Sequence, residues 1–414
     1  MTPVRSAALR EWREGWTLVL AATFGVSLGG LQIYSTGLFL QPLEREYGWS
    51  RSEISGAMAV PAIMGVLFSP FFGMLIDRWG ARALALPGAM LCCASFAALS
   101  LAGPSILSWW LLWIAIGVAS LCLKPTVWST AVSARFVVSR GLALAVMLCG
   151  TGLASAIIPP LTNMLIDAFG WRGAYIGLGL VFGVTVVPVL WLFFHDARRN
   201  PSGPSAASSR PVSGLTAREG FRTRQFWQLG AAALLITAVI VGSVVHLVPI
   251  LSDNGLPRGE AAFAAGLTGI FSVIGRLGVG YLFDRLPGPP VGAASVILPV
   301  VAAGLLLAFP GSLPAALIAI GFLGLAVGGE YDSIIYLATR YFGMRSFGTL
   351  FGCIGSALLA GVGLGPIVAA AFYDRTGSYA PFLWGAIPLC LVTALLLGTL
   401  GRYPEHKADQ ETRP

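Results

Sequence analysis

Gly73-Met-Leu-Ile-Asp77-Arg78-Trp-Gly80-Ala-Arg82 decides how this chain is read, because Gly280-Tyr-Leu-Phe-Asp284-Arg285 repeats its first half 207 residues later. The same spacing joins Pro42, Gly48 and Glu53 to Pro249, Gly255 and Glu260. Arg135/Arg340 and Arg140/Arg345 follow at 205, Pro160/Pro366 at 206, then Asp167/Asp374 and Gly170/Gly377 at 207 again. A drift of one or two residues is what a small deletion between helices leaves. Self-similarity at one fixed offset across many unlike residues marks an internal duplication.

The repeated half is built for lipid. Hydrophobic residues make up 56% and charged residues 11% of the chain, where a soluble domain carries about 25% charged residues. Mean hydropathy is +0.80. With roughly 20 apolar residues needed to span a bilayer, the sequence predicts spans at about 16–40, 53–76, 83–102, 105–133, 141–165 and 172–194. In the second half they fall at about 226–250, 260–282, 289–309, 313–338, 347–371 and 380–401. The expected fold is all-α, twelve transmembrane helices arranged as two six-helix parallel repeats. Its parts are a bundle over 1–195, a basic linker over 196–225, a second bundle over 226–402 and a tail over 403–414. Ser213 or Thr216 is placed to cap a short surface helix at the end of the linker. Duplicated helical halves point to a transporter whose site lies where the halves meet.

The net charge of +8 is a topology signal. Nineteen of the 26 lysines and arginines fall on the side that holds both termini and the linker, and five on the other. That asymmetry puts the termini and linker in the cytoplasm. No basic stripe marks a soluble face, so nucleic acid is not an expected partner. Trp49, Trp79, Trp171, Trp191 and Trp227 sit at predicted span ends, where indole rings favour the headgroup region. Trp128 and Trp384 lie inside spans and call for packing or cavity lining. The six cysteines lie in apolar stretches without zinc-site spacing or a disulfide framework. No cleavable signal peptide is visible.

The stretch from Gly73 to Arg82 resembles the G-x-x-x-D-R-x-G-x-R loop motif of the major facilitator superfamily, every specified position filled, and the second copy stops after Arg285. Within that superfamily three segments resemble the monocarboxylate transporter group and its bacterial relatives, including oxalate–formate exchangers. They are Tyr47 to Glu53; Val245 to Pro249 with Asp253 to Leu256; and Gly328 to Asp332 with Arg340 to Gly343. Physically, Asp77 beside Arg135 or Arg140, and Asp284 beside Arg340 or Arg345, would form a cytoplasmic latch that also includes Arg78 and Arg285. Ordinary interfacial charges are the alternative.

Ionisable residues inside the bilayer are functional candidates by default. Lys124, Arg276, Glu330 and Asp332 qualify, all roughly 7–10 Å to the cytoplasmic side of their span midpoints. A guanidinium matches a carboxylate with paired donors and stays charged. The resemblance implies that Arg276 binds the substrate carboxylate; a structural pair with Glu330 or Asp332 is the other reading, and the two are compatible. Lys124 precedes Pro125, where the fourth span should bend. It is open to an anion clamp or a pairing with Glu330, whose position matches it in the repeat. Glu330 and Asp332 are two apart, so only one faces a cavity squarely; either is a proton-coupling candidate.

His246 is a packing residue or, by resemblance, a site residue. Asp253 is a solvated loop acid or, by resemblance, a coupling acid. Ser272 stands where the group often carries an aspartate or asparagine, and Tyr34 where some members carry a lysine. No second cation appears over 351–366. Tyr34, Trp128, Phe271 and Tyr331 are candidates to line an apolar cavity or simply to pack. Gly150, Gly152, Pro159 and Pro160, with Gly361, Gly363, Gly365 and Pro366, suit close helix contact and bending.

The expected function is secondary transport of small organic monocarboxylates with a proton, by alternating access. The alternatives are proton-independent organic anion exchange (dicarboxylate/monocarboxylate) and drug efflux. His195, His246 and His406 lie on separate segments with no nucleophile or metal motif, so no enzyme, cofactor or metal is expected. A monomer in a bacterial inner membrane completes the expectation.

Overall fold

In lipid a backbone can satisfy its own hydrogen bonds as a helix, and this chain does so almost throughout. The computed structural model describes residues 3–136, 138–195, 214–343 and 345–404, excepting the side chains of residues 3–8, 69, 70, 73, 76, 77, 126 and 140. In chain order the first elements are α1 (Pro3–Leu28), α2 (Leu31–Tyr47), α3 (Arg51–Gly56), α4 (Ala59–Trp79), α5 (Ala81–Ala98), α6 (Ile106–Cys122), α7 (Pro125–Arg135) and α8 (Arg140–Phe193). They continue as α9 (Ala217–Arg222), α10 (Arg224–Val245), α11 (Leu247–Asp253), α12 (Arg258–Phe283), α13 (Gly288–Ala308), α14 (Leu313–Phe342), α15 (Phe347–Thr376) and α16 (Ala380–Gly398).

Ten helical stretches among the described residues are long and apolar enough to cross a membrane. One of them, Gly141–Phe193, has 53 residues. At 1.5 Å per residue it is about 80 Å long, more than twice the hydrocarbon thickness. It breaks at Gly170, where φ is 69° and ψ 175°, a backbone region open to little but glycine. It therefore supplies two spans. With the 21-residue α4, the described residues hold twelve membrane-length segments. The chain is an integral, multi-pass helical membrane protein.

The duplication is written into the backbone. Gly48 and Gly255 both have positive φ, 69° and 96°, and so do Gly170 and Gly377, 69° and 68°. Spans are also interrupted: the first between α1 and α2 at Gly29–Gly30, the fourth between α6 and α7, the seventh between α10 and α11 at His246. At the fourth, the expected bend is a full break, because Pro125 has no N–H to continue the ladder. The Trp128 indole donates to the Leu123 carbonyl there, at 3.0 Å.

The chain forms two compact units, Met1–Arg199 with Leu247–Pro249 and Pro257–Gly269, and Asn200–His246 with Ile250–Leu256 and Ile270–Pro414. In the first, α8 packs on α1, α2 and α5, and α6 on α4 and α5. In the second, α10 packs on α15, and α13 on α14 and α16. Each unit ties down its ends. Glu11 accepts the backbone N–H groups of Val138 and Ser139, at 3.0 and 2.9 Å, beside the N-terminus of α8, where four amides lack helical partners. Thr216 and Glu219 cap α9 reciprocally, and Leu215 N–H donates to the Phe342 carbonyl at 2.9 Å. Ser213 and the rest of 196–213 lie outside the described residues. Within the first unit, Arg258 donates to the Leu38 carbonyl at 2.7 Å. Pro42, four residues on, has no N–H to offer that oxygen.

Candidate functional site

The second unit concentrates its membrane-depth charge where α12 and α14 touch backbone to backbone. A Cβ on Gly275 would stand 2.3 Å from the Leu325 carbonyl oxygen, and one on Gly328 would stand 2.0 Å from that of Ser272. No other residue admits so close a crossing. One turn beyond it each helix carries a charge: Arg276 follows Ser272 by four residues, and Asp332 follows Gly328 by four. Arg276 Nη1 donates to both Asp332 oxygens, at 2.9 Å to Oδ1 and 3.1 Å to Oδ2. The side chains are 11% and 24% exposed, so the pair is largely desolvated, and removing either partner would strand a charge.

Glu330 turns the other way, as its two-residue offset from Asp332 requires. It is buried, and Thr237 of α10 donates to its Oε1 at 2.5 Å. Ser333, fully buried beyond it, shares a hydrogen bond with Ser295 of α13, at 3.2 Å. Tyr331 stands edge-on to Phe351 of α15, Ser272 is buried, and Phe271 lies beside Gly321.

Lys124 lies in the first unit, at the break between α6 and α7, where its Nζ donates to the Gly65 carbonyl at 3.0 Å. Tyr34 of α2 follows the Gly29–Gly30 break, with its ring against Gly30. His246 is fully buried at the α10–α11 break. Its Nε2 is 3.0 Å from the Pro366 carbonyl and its Nδ1 2.7 Å from the Tyr379 hydroxyl. A carbonyl only accepts, so Nε2 carries the hydrogen and Nδ1 accepts from tyrosine. Asp253 is exposed at the C-terminus of α11. Trp128 is fully buried, packed on Phe194 and over Gly25, so its role here is packing. Trp384 is exposed.

The latch residues find various partners. Arg135 pairs with Glu14, at 2.5 Å. Arg285 covers the Tyr281 ring and Arg340 the Tyr403 ring. Asp284 is exposed and, among the described residues, forms no ion pair with Arg340 or Arg345. Arg78 is exposed, and the side chains of Asp77 and Arg140 lie outside the described ones. Among the described residues no cluster of three or more His, Cys, Asp or Glu side chains is placed to hold a metal ion.

Sequence reasoning named Arg276, Glu330 and Asp332 but left their pairing open, and it missed Thr237, Gly65, Glu11 and Tyr379. A threonine or a carbonyl inside an apolar span carries no mark in one sequence. Glu11 alone had a signal, an acid just before the first span.

A family model described as Major Facilitator Superfamily matches residues 22–355. Monocarboxylate transporter 11 of Homo sapiens is 27% identical over 402 residues, covering 94% of this chain and 72% of that protein. Monocarboxylate transporter 11 of Mus musculus is 28% identical, covering 92% and 86%. An uncharacterized MFS-type transporter, YcxA of Bacillus subtilis (strain 168), is 25% identical, covering 72% and 70%. Two solved structures share the fold. A bacterial homolog of the human lysosomal transporter Spinster has a TM-score of 0.67 at 17% identity, covering 97% of this chain and 95% of its own. The nucleoside transporter NupG has a TM-score of 0.72 at 12% identity, covering 93% and 100%.

Proposed function

Since this chain belongs to the major facilitator superfamily, we propose that it is a secondary transporter of small organic monocarboxylate anions, carrying a proton with its substrate by alternating access. The observation that carries the reading is Arg276. It is a nearly buried guanidinium at membrane depth, held by one acid from the neighbouring helix. Such a group is costly in lipid and so is a functional candidate, and its fork offers a carboxylate two parallel hydrogen bonds. The curated relatives named monocarboxylate transporters support the substrate class.

In this reading Ser272 and Tyr331 flank the carboxylate. Lys124, Tyr34 and His246 contribute from their own elements to the path or its shape, and Glu330, Asp332 and Asp253 are the acids available for coupling. The Asp77, Arg78 and Arg135 group and the Asp284, Arg285 and Arg340 group act at the cytoplasmic ends of the two bundles. The bundles extend over 1–195 and 226–402, with linker 196–225 and tail 403–414 in the cytoplasm of a bacterial cell.

The test is uptake of labelled monocarboxylates into proteoliposomes with and without an imposed pH gradient. Wild-type protein accumulates the acid when the gradient is present. Arg276→Lys keeps the charge but loses the fork. Losing one charge-assisted bond, worth roughly 1.5–3 kcal/mol, weakens substrate binding about 10- to 100-fold. Normal uptake by that variant would remove Arg276 from the site. Counterflow indifferent to the gradient would make the protein an exchanger.

A further inference from the structure

Arg276 spends only one of its three nitrogens on Asp332. Nη1 reaches both carboxylate oxygens, at 2.9 and 3.1 Å. A guanidinium has five N–H donors, so Nη2 and Nε keep three, two of them parallel along one edge. Among the described residues that edge has no hydrogen-bond acceptor. It is the edge that matches a carboxylate with two parallel bonds. Among the described residues Glu330 makes no hydrogen bond to that edge, and its Oε1 accepts from Thr237 of α10 instead. Ser272, one turn before Arg276, brings no charge, so the acid that steadies the guanidinium comes from the neighbouring helix.

We propose that Asp332 is a positioning residue that stays bound while Arg276 receives the substrate on its Nη2–Nε edge, and that the proton carried with the substrate settles on Asp332. The inference rests on the transport reading above and specifies its coupling step. One guanidinium then bridges two carboxylates. Its single positive charge cannot offset both in a desolvated site, and two like charges around one cation disfavour the doubly ionised state. Taking up one proton restores balance: carboxylate plus proton on Asp332 gives the neutral acid, whose carbonyl oxygen still accepts from Nη1. By linkage, substrate raises the proton affinity of Asp332 and the proton raises the substrate affinity of Arg276, by the same factor.

Asp332 is placed for this role where Glu330 is not. The charged and titratable groups that act on Asp332 are Arg276 from α12, and Glu330 and Tyr331 from its own helix. The neighbouring helices present hydroxyl, thiol and aromatic groups to this stretch: Thr237 on α10, Ser295 on α13, Phe351 on α15 and Cys390 on α16. Asp332 remains partly accessible, 24% of its side chain, while Glu330 is 9% exposed.

The experiment pairs binding with flux. Monocarboxylate binding to the purified full-length protein is measured by calorimetry in two buffers of different ionisation enthalpy, which counts protons. Wild type is expected to take up about one proton per substrate at pH values where free Asp332 is ionised, and Asp332→Asn none. Reconstituted wild type accumulates substrate about tenfold across a one-unit pH gradient. Asp332→Asn is expected to lose accumulation: whatever substrate it still moves equilibrates rather than concentrates, and that movement responds to membrane potential because a bare anion crosses.

Proton-driven accumulation by Asp332→Asn overturns the proposal. So does uncoupling by Glu330→Gln with coupling intact in Asp332→Asn. Should Asp332→Asn not fold, the wild-type count still decides: substrate binding without proton uptake overturns this inference alone, and no carboxylate binding at all overturns the transport reading with it.

Discussion

Thr237 gives Glu330 its direct hydrogen bond from another helix, at 2.5 Å, and so decides which acid of the pair is structural. A buried carboxyl group without a partner is expensive in either protonation state. Thr237→Val keeps the shape and removes the donor, so it should destabilise the protein by about 1–3 kcal/mol, read as an earlier unfolding transition in detergent. Thr237→Ser should restore most of the loss. An unchanged transition in Thr237→Val would mean that Glu330 finds another partner. His246 teaches the same lesson at another break. Both ring nitrogens are committed, to Pro366 and Tyr379, so the imidazole holds α10, α15 and the start of α16 in register. From sequence, Glu330 and Asp332 were two acids on opposite faces of one helix. Which one meets Arg276 depended on how α14 is rotated against α12.

At the scale of elements, proline explains a contact that charge alone does not. Pro42 sits inside α2 and leaves the Leu38 carbonyl without an amide. Arg258, the first residue of α12, fills that vacancy within the first unit. Arg51, its counterpart 207 residues earlier, is buried and pairs with Glu44 at 3.3 Å. Pro42→Ala returns the missing N–H, so the Leu38 oxygen no longer depends on arginine. A double-mutant cycle should therefore show coupling. Arg258→Ala should destabilise the wild-type background by about 1–3 kcal/mol more than the Pro42→Ala background. Equal costs in both backgrounds would show that Arg258 contributes nothing through this oxygen. The crossing of α12 and α14 follows the same logic of small residues, since Gly275 and Gly328 admit the other helix's backbone and bring Arg276 and Asp332 within reach.

At the scale of the whole molecule, the asymmetry of basic residues makes an orientation that can be tested. With the native cysteines replaced, a membrane-impermeant thiol reagent should label Ser205→Cys only from the cytoplasmic face and Asn254→Cys only from the opposite face. The reverse pattern would invert the topology. Composition and repetition were sufficient for the architecture, because apolar length dictates helices in lipid and a 207-residue offset dictates two like halves. The loop motif from Gly73 to Arg82, with its partial second copy from Gly280 to Arg285 at the repeat spacing, pointed to the superfamily, and Lys124, Arg276, Glu330 and Asp332 announced themselves because charge is rare at membrane depth. Tertiary structure alone decided the partners: Asp332 rather than Glu330 for Arg276, Thr237 for Glu330, the Gly65 carbonyl for Lys124, Glu14 for Arg135. Pairing depends on the rotation and approach of helices dozens of residues apart, and those are fixed by packing at glycines such as Gly328, whose significance no local pattern in one sequence conveys.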